Sequence, residues 1–352
     1  MDSTQGDGAA APSFCVVGAG IVGLSSAVQL QDKFPHSSVT IIADKFYSDT
    51  TSYGAAGLFR PMLYKHNGAQ ADDFCAWTRD SWRFFSRLAH SEDAPASGCQ
   101  LIAGYEFLNK PHDATGFESL VYSRQQVSAR EVAMFGPDAR ELHGYRTVTT
   151  LASPVRLLAF LMNQFTSRGG RVTQARLTSL EELVGKYDVI VNCCGMGARE
   201  LLKDERMVPL RGQIIRVRAP WIKMFYLAEN NDGTYTYICP ASDFVVVGGC
   251  KQEGVDDVTY SQSDHDAMWR RACEVMPSLR RATKLGDWMG VRPARTPLRV
   301  EAEVMRFPSG EVKVVHNYGH GSDGIALGYG TSAHAVRLVN QLLSGATAQS
   351  KL

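Results

Sequence analysis

The chain has 352 residues and carries 37 Lys plus Arg against 36 Asp plus Glu, a formal net charge of +1. That length can bury a sizeable core in two domains or one elaborated α/β unit, and the balanced charge leaves no global field to gather nucleic acid or an anionic membrane. No apolar run approaches the roughly 20 residues of a membrane span, so the expected partner is a small molecule.

The N-terminus, Met1 to Pro12, is small and polar and lacks the basic-then-apolar pattern of a secretory leader. Ser13 to Val17 is a short apolar run, followed by Gly18-Ala19-Gly20-Ile21-Val22-Gly23 and helical periodicity from Leu24 to Leu30. The order is strand, tight turn, helix. A second strand, Val39 to Ile42, ends at Asp44, and a loop of small residues is expected from Asp49 to Gly57. From Asp72 to Leu88 the residues Phe74, Trp77, Phe84, Phe85 and Leu88 recur at helical spacing, an amphipathic helix whose aromatic stripe belongs to a core. Between Ser91 and Gly144 only short strands mixed with turns are legible.

Pro154 to Ser167 reads as a helix opened by proline and stopped by Gly169-Gly170. Strands at Arg171 to Leu177 and Tyr187 to Asn192 restore the rhythm of a parallel sheet. Arg211 to Gly249 instead gives consecutive strands at Ile214 to Val217, Thr234 to Ile238 and Phe244 to Val247, which suits antiparallel pairing. A helix around Asp264 to Val275, the run Gly290-Val291-Arg292-Pro293, a strand at Val312 to His316, a glycine-rich loop and a last helix from about Ala333 to Leu343 complete the pattern. The expected fold class is α/β. A dinucleotide-binding parallel-sheet domain drawn from residues 12–60, 146–198 and 288–347 is interrupted by a mainly antiparallel substrate domain from 61–145 and 199–287. Residues 348–352 form a tail whose Ser350-Lys351-Leu352 is a peroxisomal address for an import receptor. The eight cysteines show no Cys-x-x-Cys spacing and several lie in apolar runs, so buried free thiols are expected; the neighbours Cys193 and Cys194 would point to opposite faces of a strand. No metal site is expected, and a homo-oligomer is compatible with the chain.

Gly18-x-Gly20-x-x-Gly23 stands after a strand and opens a helix, with Asp44 a further 21 residues on. The first glycine permits a tight turn, the second lets a pyrophosphate approach the backbone, the third allows close helix packing, and the helix N-terminus meets the phosphate charge. NAD and FAD both fit that fingerprint.

Further motifs are Asp44-Lys45-Phe46, Asp49-Thr50-Thr51-Ser52 with Ala55-Ala56-Gly57, Val191-Asn192-Cys193 with Gly195, and Arg211-Gly212-Gln213. Later come Gly290-Val291-Arg292-Pro293-Ala294-Arg295 and His316-Asn317-Tyr318-Gly319-His320-Gly321-Ser322. With these the chain resembles the D-amino acid oxidase and D-aspartate oxidase family over nearly its whole length after the first dozen residues. Ser332 departs from the alanine usual in that family's closing helix. The resemblance implies a non-covalent FAD. Gly18, Ala19, Gly20, Ile21 and Gly23 would form its phosphate turn, and Asp44 would accept the adenosine ribose hydroxyls. Lys45, Thr51 and Ser52 would hold phosphate and ring edges, Thr50, Gly57 and Leu58 would also contact the cofactor, Leu177 would lie along the adenine, and Gly321, Ser322, Gly324, Ile325 and Ala326 would line the flavin. Arg292 would grip the substrate α-carboxylate bidentately, with the Tyr237 hydroxyl on the same group.

The reaction so implied moves the Cα hydrogen as hydride to the flavin, whose electrons go on to oxygen as hydrogen peroxide, while the imino acid hydrolyses to an oxo acid and ammonia. It has no vacancy for a base, so His316 and His320 are read as structural. Ser322 matches the D-aspartate branch of the family. Lys251 stands where that branch has an arginine for the distal carboxylate, and Arg60 falls near the pocket as a second basic group. The leaning is therefore to D-aspartate and D-glutamate. Three alternatives stay open: an oxidase of neutral D-amino acids, an amine or N-methyl amino acid oxidase, and a non-catalytic FAD-binding protein. Members with covalent flavin need a late cysteine, and none follows Cys273.

Overall fold

The computed structural model of the chain describes residues 11–61, 70–110, 117–135 and 143–345. The Ser350-Lys351-Leu352 tail and most of Met1 to Pro12 lie outside them.

Strand β1 (Ser13–Val17) runs into helix α1 (Ile21–Lys33), β2 (Ser38–Ala43), α2 (Ala71–Ala89) and the short α3 (Ala94–Ser97). Then come β3 (Cys99–Leu108), β4 (Ser123–Gln126), the short α4 (Ala129–Val132) and β5 (His143–Ala152). Helix α5 (Pro154–Ser167) has proline in its first turn and stops at Gly169, which takes φ +81°, a conformation open to glycine. β6 (Arg171–Gln174), β7 (Val189–Asn192), the short α6 (Ala198–Leu201), β8 (Met207–Arg218), β9 (Phe225–Glu229), β10 (Tyr235–Pro240), β11 (Val245–Gly248) and β12 (Gln252–Glu253) follow. The chain continues with α7 (Gln262–Val275), β13 (Thr283–Phe307), β14 (Gly310–His320) and α8 (Gly324–Leu343).

Among the described residues all the strands join one sheet, in the order β4-β5-β3-β9-β10-β11-β8-β13-β14-β7-β1-β2-β6, with β12 on β8. From β14 to β6 every pairing is parallel. From β13 to β4 the pairings are antiparallel except β3 with β9. The 25-residue β13 joins the halves: its first part pairs with β8 and its last part with β14. A shift of register between Ala294 and Arg299 spans Pro297, which has no amide hydrogen for the ladder.

Each half has its own core. Under the parallel half, Phe14, Val16, Leu24, Ile41, Leu157, Leu161, Val191 and Val339 form one buried cluster. On the antiparallel half, Ile215, Val217, Ile238 and Val247 pack against Met268 of α7 and against Leu279.

Several sequence expectations shift. The last helix begins at Gly324, not Ala333, because its glycines serve close packing: a Cβ on Gly330 would lie 1.9 Å from the Trp77 carbonyl oxygen. The strand expected at Arg171 to Leu177 ends at Gln174, and that at Ile214 to Val217 is the end of a strand begun at Met207. The Asp49 to Gly57 stretch contains a 3-10 turn at Thr51–Gly54 rather than a plain loop. Ser91 to Gly144 contains a ten-residue strand, β3, that its mixed polarity conceals.

Candidate active site

A cleft of about 2050 Å³ opens at the carboxyl ends of β1, β2, β7 and β14 and runs along the middle of β13 into the antiparallel half. Carboxyl ends of parallel strands are where ligands bind in such sheets. Every residue expected from the sequence to bind cofactor or substrate lines this cleft except Gly23. Gly23 sits beneath it, where a Cβ would fall 2.0 Å from the Gly18 carbonyl oxygen. Gly18 itself has φ +105°, and its Cβ would meet the Cys193 carbonyl at 2.5 Å. Strand, turn and helix therefore approach as closely as backbones can.

At the N-terminus of α1 no acidic side chain occupies the first turn, and the Ile21 amide donates to the Ser52 hydroxyl at 3.0 Å. Thr50 donates to the Tyr47 carbonyl at 2.7 Å and Thr51 to the Val291 carbonyl at 2.8 Å, which ties this turn to β13. Asp44 and Lys45 are exposed just past the end of β2, and Leu177 is half-buried across from them. Gly57 has φ +77°, and its carbonyl accepts from Ala152 at 3.0 Å, which holds Leu58 beside β5. The residues Gly321 to Ala326, expected as a loop, form a 3-10 turn that contains Asp323, the residue capping α8, and the first turn of α8 itself. The acid-free N-terminus of α1 thus opens onto the cleft, a setting for anionic groups, whereas Asp323 caps α8 there. The cradle with no room for Cβ atoms, the open helix end and Asp44 fit the pyrophosphate and ribose of FAD.

The antiparallel half supplies side chains, seated by glycines. Gly212 on β8 would place a Cβ 2.3 Å from an Arg292 nitrogen, so the guanidinium lies against bare backbone. Gly248 and Gly249 do the same for the Tyr237 ring, at 2.3 and 2.5 Å. Gly54 and Gly290 make room for Trp288, each Cβ position being 2.0 Å from the indole. Arg292 donates to the carbonyls of Cys250 at 3.3 Å and Arg211 at 3.5 Å and touches the Tyr237 hydroxyl. Among the described residues no carboxylate is paired with it. Its neighbour Arg295, by contrast, is committed to Asp204 at 2.7 Å and the Pro297 carbonyl at 2.6 Å. Burial raises the Tyr237 hydroxyl above the usual phenol value although Arg292 pulls it the other way, so it remains a donor at neutral pH.

On the opposite face of β8, Arg211 is buried and bound to Asp264 at 2.9 Å and the Thr259 carbonyl at 2.6 Å. Gln213 there bonds Asp287 at 2.9 Å, and Asp287 holds His265 at 2.8 Å. This layer fixes the carbonyl that Arg292 leans on. The alternation of Arg211-Gly212-Gln213 is the sequence signal for it, one face polar and buried, the other bare.

Lys251 and Ser322 are exposed at the cleft rim. Arg60 lines the cleft as expected and is buried there in an ion pair with Glu106, a partner 46 positions away that sequence reading missed. His316 is fully buried between Glu303 at 3.1 Å and Asn192 at 3.3 Å, and His320 is held by Thr331 at 2.9 Å. All eight cysteines are free, and burial pushes the Cys193 and Cys194 thiols up to about 12, which keeps them from acting as nucleophiles.

This architecture defines the chain as a two-domain oxidoreductase of the FAD-binding kind. Glycine oxidase from Bacillus cereus ATCC 14579 has a like fold, with a TM-score of 0.72 at 16% identity, covering 97% of this chain and 99% of that one. Iminodiacetate oxidase from Chelativorans sp. BNC1 gives 0.68 at 18% identity, covering 96% and 97%. Residues 13–338 match the DAO family, FAD dependent oxidoreductase, and the chain belongs to that family. It is 33% identical over 329 residues to human D-aspartate oxidase, covering 93% of this chain and 94% of that protein. It is 34% identical over 331 residues to the D-amino-acid oxidase of Rubrobacter xylanophilus, covering 94% and 96%.

Proposed function

We propose that this chain is an oxidase of D-amino acids that takes D-aspartate and D-glutamate ahead of D-alanine and releases the 2-oxo acid, ammonia and hydrogen peroxide. The observation that carries the reading is Arg292, seated on Gly212, unpaired with any described carboxylate and touching Tyr237. A planar guanidinium so placed accepts a carboxylate on two parallel hydrogen bonds, and the phenol adds a third donor. Together they would fix the α-carbon in one orientation, which is what this half of the protein contributes to the rate. FAD, when bound, supplies two-electron oxidation of the carbon–nitrogen bond with oxygen as the final acceptor. Residues 12–60, 146–198 and 288–347 would hold it, and 61–145 with 199–287 would hold the substrate. Names of relatives, human D-aspartate oxidase among them, and Lys251 at the cleft rim support the acidic leaning.

One observation favours a second reading, an oxidase of neutral D-amino acids: the charge of Arg60 already has a partner in Glu106. A single experiment separates the two. Peroxide release is measured from purified protein with D-aspartate, D-glutamate, D-alanine, D-methionine and their L-forms. Preference for the acidic D-forms is expected; preference for D-alanine or D-methionine replaces the first reading with the second, and turnover of L-forms alone overturns both. Peroxisomal import through Ser350-Lys351-Leu352 is part of the proposal, and removing these three residues is expected to leave the protein in the cytosol.

A further inference from the structure

Two guanidiniums and one carboxylate form a buried cluster, and one of its members, Arg60, lines the cleft. The side chains of Arg60, Glu106 and Arg124 are 8%, 2% and 7% exposed. One Glu106 oxygen holds Arg60 and the other holds Arg124. Arg124 is further placed by the Thr147 hydroxyl at 3.3 Å and the Tyr145 ring 4.0 Å below it, and it feels the negative charge of Glu118.

The sheet register relates this cluster to the substrate anchor. Glu106 on β3 pairs with Leu227 on β9, and Leu227 pairs with Tyr237 on β10. Paired residues share a face, so Glu106 and Tyr237 stand on one face two strand spacings apart, roughly 10 Å. Arg60, Leu227 and Tyr237 all line the cleft. One end of the row therefore carries the α-carboxylate grip, and the other carries a guanidinium already bound to a carboxylate.

We infer that Glu106 is a specificity-determining residue, which holds Arg60 and thereby limits how strongly this enzyme prefers substrates with a second carboxylate. The inference rests on the proposed D-amino acid oxidase activity. A buried charge left without a partner is costly, and Glu106 removes that cost when a neutral substrate is bound. An acidic side chain that reaches Arg60 meets Glu106 there as well, and the two carboxylates repel each other even though Arg124 holds the second oxygen of Glu106. Glu106 acts through Arg60 and is a positioning residue. Specificity is the difference between two affinities, and this pair narrows it from both sides.

The test compares wild type, Glu106→Gln, Arg60→Gln and the double variant by kcat/KM for D-aspartate and D-alanine. Glu106→Gln keeps the shape and removes the charge. It is expected to raise the D-aspartate to D-alanine ratio at least tenfold, through a lower KM for D-aspartate rather than a higher kcat. In the Arg60→Gln background the same change is expected to leave the ratio where it was. A ratio within twofold of wild type in Glu106→Gln, or an equal rise without Arg60, overturns the inference. Where Glu106→Gln does not fold, Glu106→Asp keeps a buried charge but withdraws it by one methylene, and a ratio shift of at least threefold is expected; no shift is equally fatal. Absence of any D-amino acid turnover by wild type overturns the functional reading and this inference with it, whereas an active wild type with unmoved ratios overturns the inference alone.

Discussion

In the parallel half the cleft wall is backbone, and in the antiparallel half it is side chains. Gly18, Gly20 and Gly23 bring β1 and α1 together and leave the helix end bare, and around them the core is apolar. Across β13, glycines do something else: Gly212, Gly248 and Gly249 are seats for Arg292 and Tyr237, and the polar groups behind them are buried in pairs such as Arg211 with Asp264. A dinucleotide offers phosphates that backbone amides can satisfy, so the first half needs space more than chemistry. A small zwitterion offers a carboxylate that must be held by charge at a fixed angle, so the second half needs aimed side chains and a rigid layer to aim them.

This contrast predicts different failures. The largest effect is expected from Gly23→Ala, whose new methyl would sit 2.0 Å from a backbone oxygen that cannot move aside. That exceeds ordinary overpacking at about 1 to 3 kcal/mol. The variant should yield no soluble flavin-bearing protein, read by visible absorbance after purification; a yellow, active product would show that the cradle is looser than described.

Arg292→Ala should do the opposite and leave flavin bound while turnover collapses. Losing one partner of a buried charge-assisted pair costs about 2 to 5 kcal/mol, roughly 30-fold to several thousand-fold in kcat/KM. Flavin content and kinetics measured on the same preparation decide it, and lost flavin would mean the halves are not independent. Tyr237→Phe removes one hydroxyl from the same grip. A hydrogen bond to a charged group is worth about 1.5 to 3 kcal/mol, so a drop of roughly 10- to 150-fold is expected, again with flavin retained.

The smallest effect concerns stability and pH. Burial holds His316 below its ordinary value, and Glu303 only partly offsets this. The unfolded chain therefore binds the proton more readily, so the contribution of His316 is complete above the unfolded value of about 6.5 and is lost as pH falls through the lower folded value. Denaturant midpoints should decline on acidification from that point, and His316→Gln should flatten the decline. A decline of the same slope in the variant would place the sensitive group elsewhere.

Sequence by itself determined what depends on neighbours along the chain. The strand-turn-helix of Val17 to Leu24 was legible because glycine spacing and apolar periodicity are local, and α5 from Pro154 to Ser167 because proline and glycine mark its ends. The candidate residues of the cleft were legible through short motifs, and all but Gly23 line it. Only the tertiary structure decided which charges meet. Arg60 reads as a free cation in Leu58-Phe59-Arg60-Pro61, yet Glu106 comes to it from β3, two strands across the sheet from the Tyr237 anchor. Arg292 and Arg295 look alike three residues apart, but Asp204 reaches only the second. The first half of α8 reads as loop because glycine is a poor helix former, whereas in the fold its Gly330 lets the Trp77 backbone of α2 approach where a side chain would have stood. Burial and pairing of charge are properties of contacts between distant segments, and no local pattern encodes a partner that folding alone brings near.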